Sequence, residues 1–199
     1  LPIYTPIRQW LDEGRIGEIK LLTSTFGFRP PRDEGGRLFD PNLAGGALLD
    51  IGIYPLSVSH WVMDAFPQNY QVHALIGSTG VDELLSMTMR YETDVVSQFT
   101  STLLAETKND FWIYGTEGHI RIHPDFWGST AATLQVGDKK EKISAPFRAT
   151  GFEYEIEEAM RCIRAGLIES PKVSHEYTLS MMKFMDGIRE EIGLRYPFE

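Results

Sequence analysis

Residues 45–61 form an apolar run that is interrupted by one carboxylate and one phenol. They read Gly45-Gly46-Ala47-Leu48-Leu49-Asp50-Ile51-Gly52-Ile53-Tyr54-Pro55-Leu56-Ser57-Val58-Ser59-His60-Trp61. If the run is helical, the four-residue spacing puts Asp50 and Tyr54 on one face, a turn apart. An acid beside a phenol on a rigid element is a plausible proton-transfer pair. The alternative is structural: Asp50 caps a loop or pairs with an arginine such as Arg37, and Tyr54 belongs to the core. The pattern alone favours this second interpretation.

The composition is that of a folded, water-soluble chain. Of the 199 residues, 42% are hydrophobic and 24% are charged, enough for one domain with a substantial core. The formal net charge of −9 argues against a nucleic-acid partner, whose phosphates require a basic patch. No segment reaches the roughly 20 apolar residues of a membrane span. A single cysteine, Cys162, leaves no internal disulfide framework and favours a cytoplasmic protein, with Cys162 as a small core residue.

Two kinds of hydrophobic periodicity alternate along the chain. We predict a short first helix with Thr5 as its cap, a strand over 18–28, a loop over 30–42 and a helix over 45–64. Period-two alternation then predicts seven strands, over 70–78, 83–91, 95–103, 110–114, 119–123, 133–136 and 141–143. Two amphipathic helices follow, over 152–165 and over 174–192, the latter with Ser174 as its cap.

This order predicts a single α+β domain over residues 1–199. Short links between consecutive strands imply one large, mostly antiparallel open sheet with helices packed on one face. The other face then needs cover, and we expect it to carry apolar residues. A homodimer or a higher homo-oligomer through the open sheet face is the expected consequence.

Other catalytic and binding patterns are weak. There is no Gly-x-Gly-x-x-Gly loop after a strand, so we expect no dinucleotide-binding residues in this chain. His119 and His123 share one strand face without a third ligand, which favours structural or surface roles over a metal site. Ser59 and His60 are adjacent and point apart on a helix, which argues against a catalytic triad.

The tryptophans divide by context. Trp10, Trp61 and Trp112 sit in periodic segments and are predicted to be core residues. Trp127 lies in a loop between predicted strands, where it is either a substrate-facing wall or a loop anchor.

Several of these segments resemble the C-terminal domain of the Gfo/Idh/MocA family of oxidoreductases. They are Asp12 to Ile19, Arg37-Leu38-Phe39-Asp40-Pro41, Gly45 to Tyr54, Tyr114-Gly115-Thr116-Glu117-Gly118, and Met185-Asp186-Gly187-Ile188-Arg189. The resemblance spans nearly the whole chain, and the run from Gly45 to Tyr54 is its most specific part. Position 54 is a tyrosine, which resembles the dihydrodiol dehydrogenase and glucose–fructose oxidoreductase branch; other branches have histidine there.

The resemblance implies a two-domain parent protein of which this chain is a fragment. Its N-terminal Rossmann domain, with a catalytic lysine, is absent here and would bind NAD or NADP. Asp50 and Tyr54 take the family's catalytic positions, and Arg37 and Trp127 are candidates for substrate binding. The implied reaction interconverts a hydroxyl and a carbonyl on a sugar, a polyol or a trans-dihydrodiol. We expect the fragment alone to be inactive.

Two alternatives stay open on the sequence. In one, the domain is an oligomerisation or ligand-binding module without redox turnover. In the other, the protein keeps the fold and the cofactor but is an NAD-dependent sugar hydrolase or isomerase.

Overall fold

The computed structural model describes residues 1–199, with four α-helices and eight strands. The helices are α1 (Tyr4–Asp12), α2 (Ile53–Met63), α3 (Glu153–Arg164) and α4 (His175–Glu191). The strands are β1 (Ile19–Gly27), β2 (Asn69–Ile76), β3 (Asp82–Arg90), β4 (Val96–Thr102), β5 (Phe111–Gly115), β6 (Gly118–Ile122), β7 (Ala131–Val136) and β8 (Lys139–Ser144). Each predicted strand is present, with its ends moved by at most two residues. No helix is both long and apolar enough to cross a bilayer.

All eight strands join one open sheet in the order β2-β3-β4-β1-β5-β6-β7-β8. β1 is central: it runs parallel to β4 on one side and antiparallel to β5 on the other. Every other neighbouring pair is antiparallel. The architecture is therefore the predicted α+β class, with a mostly antiparallel sheet and one parallel pair at its centre.

One face of the sheet carries the hydrophobic core. Alternate strand residues such as Leu22, Met87 and Ile113 point into it and are buried. They pack in one cluster with buried residues of α1, α2 and α4, including Ile7 and Met185. Helix α3 contributes nothing to that cluster. Its only buried residue is Cys162, as expected for a small packed side chain, and several of its apolar residues are exposed: Ile156, Met160 and Ile163.

The opposite face of the sheet carries both polar and apolar side chains. Threonine, serine and glutamine predominate, as in the hydrogen-bonded pair Ser86 and Thr100. Apolar residues on this face include Leu75 and Leu84, which pair across β2 and β3, and Trp112 and Tyr114, whose rings stack at 5.6 Å and 3°. Trp112 was predicted to be a core residue, and that prediction is wrong. It follows buried Phe111 and precedes buried Ile113, so the strand's alternation points it to the open face.

Two helix starts also differ from the sequence prediction. Helix α1 begins at Tyr4, with Ile3 before it and no side-chain cap, so Thr5 is not a cap. The run predicted as one helix from residue 45 begins at Leu48 with a π-helical turn, Leu48–Gly52, and continues as α2. Gly45 and Gly46 precede the helix, since Gly46 has a φ of 124°, outside the helical region.

Candidate functional site

Asp50 lies inside the π-helical turn that precedes α2. The amide of Ile53 donates to the carbonyl of Leu48, five residues earlier, which is the wide hydrogen bond of a π turn. Pro55 has no amide to donate to Ile51, and its ring would crowd that carbonyl in a regular α-helix. A wider turn directly before the proline accommodates both effects. Such turns occur frequently at functional sites.

Asp50 is paired with Arg37. The guanidinium donates to the Asp50 carboxylate in a short ion pair. The Arg37 side chain is 68% exposed and that of Asp50 is 26% exposed, so the pair lies at the surface. This is the arginine partner that the structural interpretation of Asp50 anticipated.

Tyr54 lies one turn further along, at the start of α2, and is 40% exposed. Its ring meets that of Phe26 edge to face at 5.4 Å. Phe26 in turn stacks on Trp127, with centroids 3.5 Å apart and an interplanar angle of 5°. Trp127 is held by a single 3₁₀ turn, Phe126–Gly128, between β6 and β7. The phenol therefore stands beside an aromatic surface formed by the half-buried Trp127, whose ring is supported by the buried Phe26.

A cleft of about 890 Å³ opens beside this surface. Tyr54 and Trp127 both line it, together with Arg8, His60, Trp61 and Lys172. The structure thus brings two of the four predicted site residues to one cleft. Asp50 and Arg37 are not among its lining residues and form their own pair nearby along the chain.

The sequence prediction missed the two cations of the cleft. Arg8 of α1 donates to the carbonyl of Trp61 and lies 4.3 Å from the centre of that tryptophan's ring. Lys172, in the loop before α4, is 3.0 Å from Glu158. Trp61 is half-buried against the core and also lines the cleft, so its core role is only partial. Nothing in local sequence signals that α1 and the loop before α4 meet at one cleft.

Two other titratable groups line the cleft with perturbed acidity. The Tyr4 hydroxyl donates to the carbonyl of Phe126 at 2.8 Å, and burial raises the pKa of Tyr4 well above its usual value. Burial lowers the pKa of His60, whose ring packs against Phe66 and Tyr177. Tyr4 is therefore committed to a structural bond, and the neutral form of His60 is favoured.

The remaining polar candidates have structural partners. Ser59 is buried and shares a hydrogen bond of 3.0 Å with Ser97, which agrees with our rejection of a catalytic triad. His123 bonds to Thr133 at 2.8 Å through its Nε2 atom. No group of three or more His, Cys, Asp or Glu side chains is placed to hold a metal ion.

Comparison with known sequences identifies the family to which this chain is related. The sequence model of the GFO/IDH/MocA C-terminal domain matches residues 4–121. The trans-1,2-dihydrobenzene-1,2-diol dehydrogenase of Xenopus tropicalis is 31% identical over 208 residues, covering 98% of this chain and 61% of that enzyme. The Homo sapiens enzyme of the same name is 27% identical over 207 residues, covering 98% and 60%. The chain therefore spans about three fifths of the length of these relatives.

Solved structures show the same fold. The aldose-aldose oxidoreductase from Caulobacter crescentus, complexed with glycerol, superposes with a TM-score of 0.80 at 19% identity, covering 92% of this chain and 56% of that one. KijD10, a 3-ketoreductase from Actinomadura kijaniata solved with NADP and TDP-benzene, superposes with a TM-score of 0.78 at 23% identity, covering 96% and 59%.

Proposed function

Because the chain belongs to the GFO/IDH/MocA family, whose C-terminal domain it matches, we propose that the whole protein is a nicotinamide-dependent oxidoreductase. It would interconvert a hydroxyl and a carbonyl on a sugar, a polyol or a trans-dihydrodiol. The sequence relatives that match 98% of this chain are trans-diol dehydrogenases. The observation that carries the proposal is the exposed Tyr54 phenol beside an aromatic wall in a cleft.

The residues of this chain fit one end of a dinucleotide cofactor. The cleft beside Tyr54 is large enough for the nicotinamide ring and a small substrate together. The chain has no glycine-rich loop for the pyrophosphate, so NAD or NADP would be held mainly by the part of the protein that precedes this domain in the family. When bound, the cofactor supplies hydride transfer. This chain supplies proton handling and substrate orientation.

Tyr54 is the group proposed to move the proton of the substrate oxygen. During oxidation its deprotonated Oη accepts the hydroxyl proton, and during reduction the phenol donates its proton to the carbonyl oxygen. A phenol in water has a pKa of about 10, so phenols that act as bases need a nearby cation. The family resemblance assigns that cation to a lysine outside this chain. Once the Arg37–Asp50 ion pair opens, the Asp50 carboxylate would orient that lysine or accept a hydrogen bond from the substrate.

The ring of Trp127, supported by the buried Phe26, is proposed to orient the substrate. An indole ring offers a flat apolar surface, which suits a cyclic substrate whose hydroxyl groups lie on its rim. The phenol at the edge of that surface would then contact one hydroxyl. Sugars and trans-dihydrodiols both have this shape, so the wall accounts for the substrate class and not for one member of it.

The test is a substrate screen by nicotinamide absorbance on the full-length protein, starting with sugars and trans-1,2-dihydrobenzene-1,2-diol. On the best substrate, Tyr54→Phe should lower kcat by about 100- to 10,000-fold, because general acid–base catalysis contributes that much. Tyr70→Phe is the matched control, since Tyr70 packs on Phe184 away from the cleft.

Turnover by Tyr54→Phe at the wild-type rate across pH would contradict the assigned role of Tyr54. Turnover that consumes sugar while the nicotinamide shows no net change would instead indicate the hydrolase or isomerase alternative. Residues 1–199 alone should give no turnover with any of these substrates, because the hydride acceptor has no binding loop here.

A further inference from the structure

Asp82, at the start of β3, is a fully buried carboxyl without a cationic partner. The other buried acids of the sheet are paired: Glu83 with Arg32 at 2.9 Å and Asp110 with Arg121 at 3.0 Å. Burying a carboxyl without such a partner is unfavourable unless it is hydrogen-bonded, so the hydrogen bond that Asp82 makes indicates its role.

That contact is with the first residue of the π turn. Oδ2 of Asp82 accepts a hydrogen bond from the amide of Leu48 at 2.7 Å, in the protein interior. Leu48 follows Ala47, which provides no side-chain cap, so its amide would otherwise be an unsatisfied helix-start donor. Asp82 caps the helix from a strand 34 residues later in the chain. An acidic group also interacts favourably with the positive end of the helix dipole.

The two glycines before Leu48 are fitted to this carboxyl and its surroundings. A Cβ on Gly46 would collide with Oδ1 of Asp82, and one on Gly45 would come within 2.8 Å of the Leu38 carbonyl. The hydroxyl of Tyr196, from the C-terminal segment, donates to the carbonyl of Gly45 at 2.8 Å. Asp82 and Tyr196 together fix the backbone that enters the turn.

We propose that Asp82 is a positioning residue, which sets the place of Asp50 and Tyr54 by holding the start of their shared helix. Asp50 is two residues beyond the amide that Asp82 holds, and Tyr54 is one turn further. The inference rests on the proposed function only where it concerns turnover; the local order of residues 45–54 can be measured without it.

The test compares two isosteric variants of the full-length protein. Asp82→Asn keeps an acceptor oxygen for the Leu48 amide, and Asp82→Leu keeps the branched shape but removes the acceptor. Neither leaves a cavity. With NADP⁺ and trans-1,2-dihydrobenzene-1,2-diol, Asp82→Leu should lower kcat by about 10- to 100-fold, the effect of a small misplacement. The KM for NADP⁺ should stay within about twofold. Asp82→Asn should restore most of the kcat.

Hydrogen exchange provides the readout that does not depend on turnover. In Asp82→Leu, amides of residues 45–54 should exchange at least about tenfold faster, while those of 56–63, held by core packing, keep their wild-type rate. Ser97→Ala is the control: it removes the buried bond to Ser59 further along α2, so it should lower Tm but leave kcat and the exchange of 45–54 unchanged.

Wild-type exchange over 45–54 in Asp82→Leu would overturn the proposal, as would unchanged kcat in a folded Asp82→Leu protein. If Asp82→Leu does not fold, Tyr196→Phe removes the hydroxyl that bonds to Gly45 while keeping the buried ring, and should also speed exchange over 45–47. If the wild-type protein turns over no substrate, the proposed function fails and the exchange data alone decide the positioning role.

Discussion

Arg37 and Asp50 form an ion pair at the protein surface. Exposed ion pairs contribute about 0–1 kcal/mol, because water competes for both charges. The Arg37 side chain is two-thirds exposed and leaves room for a competitor at the carboxylate. The structural interpretation of Asp50 and the catalytic one are therefore compatible. Arg37 satisfies the carboxylate in this chain, and under the proposed function a lysine or a substrate hydroxyl would replace it.

Asp82 makes the stability of the fold depend on pH. Burial raises the pKa of Asp82 to about 7, with the Leu48 amide opposing the shift only in part. The titratable group that faces it, Tyr196, has its own pKa raised by burial and by Asp82, and so remains neutral. Since the folded state holds the proton more tightly than the unfolded chain, stability is full below about pH 4 and is lost as pH rises through about 7.

The expected size of this loss is at most about 4 kcal/mol, from a shift of about three pKa units. It should be measured as the difference in unfolding free energy between wild type and Asp82→Asn, by urea denaturation from pH 4 to pH 8. The other titrating groups cancel in that difference. The wild type should lose stability relative to Asp82→Asn as pH rises. A constant difference across the range would show that Asp82 does not titrate in the folded protein.

At the scale of elements, Gly46 is the residue on which the junction between loop and helix depends most. Gly46→Ala puts a Cβ against the Asp82 carboxyl at a φ of 124°, so we expect it to cost about 2–4 kcal/mol of unfolding free energy. Gly80→Ala has a similar backbone strain, with a φ of 92°, but meets nothing within 4 Å. The difference between the urea unfolding midpoints of the two variants measures the effect of the collision between the new Cβ and Asp82. Equal midpoints would mean that Asp82 moves aside freely.

The sequence predicted the strands well because each strand has its own alternation, as in Leu22, Ser24 and Phe26 of β1. It predicted Ser174 as a cap for the same reason, since the bond to the amide of Tyr177 is local. The start of the helix that carries Asp50 and Tyr54 could not be predicted, because its cap, Asp82, comes from another element. The cleft was missed likewise: Arg8 and Lys172 meet only through tertiary packing.

At the scale of the whole molecule, we propose that a second copy of the protein covers the open face of the sheet. Thr100, on β4 next to the central strand β1, lies on that face, and the Trp112–Tyr114 stack gives the face an apolar centre. Thr100→Glu would place like charges close together across a two-fold axis and should convert a dimer to a monomer in light scattering.

The matched control is Thr178→Glu, the same substitution on the exposed side of α4. It should leave the mass unchanged. A wild-type protein that is monomeric at micromolar concentration would contradict the proposed dimer, and a dimer that persists in Thr100→Glu would place the contact elsewhere.

The π turn between Leu48 and Gly52 also bears on how this chain can evolve. Such a turn holds one residue more than an α-helical turn. Loss of that residue would rotate α2 by about 100°, taking Leu56 and Val62 out of the core, or would pull the helix start away from Asp82. Either outcome would destabilise the fold, so the wide turn is tied to the core packing of α2 as well as to the placement of Asp50 and Tyr54. A related sequence that has lost the acid or the phenol is therefore expected to keep the same number of residues in this turn.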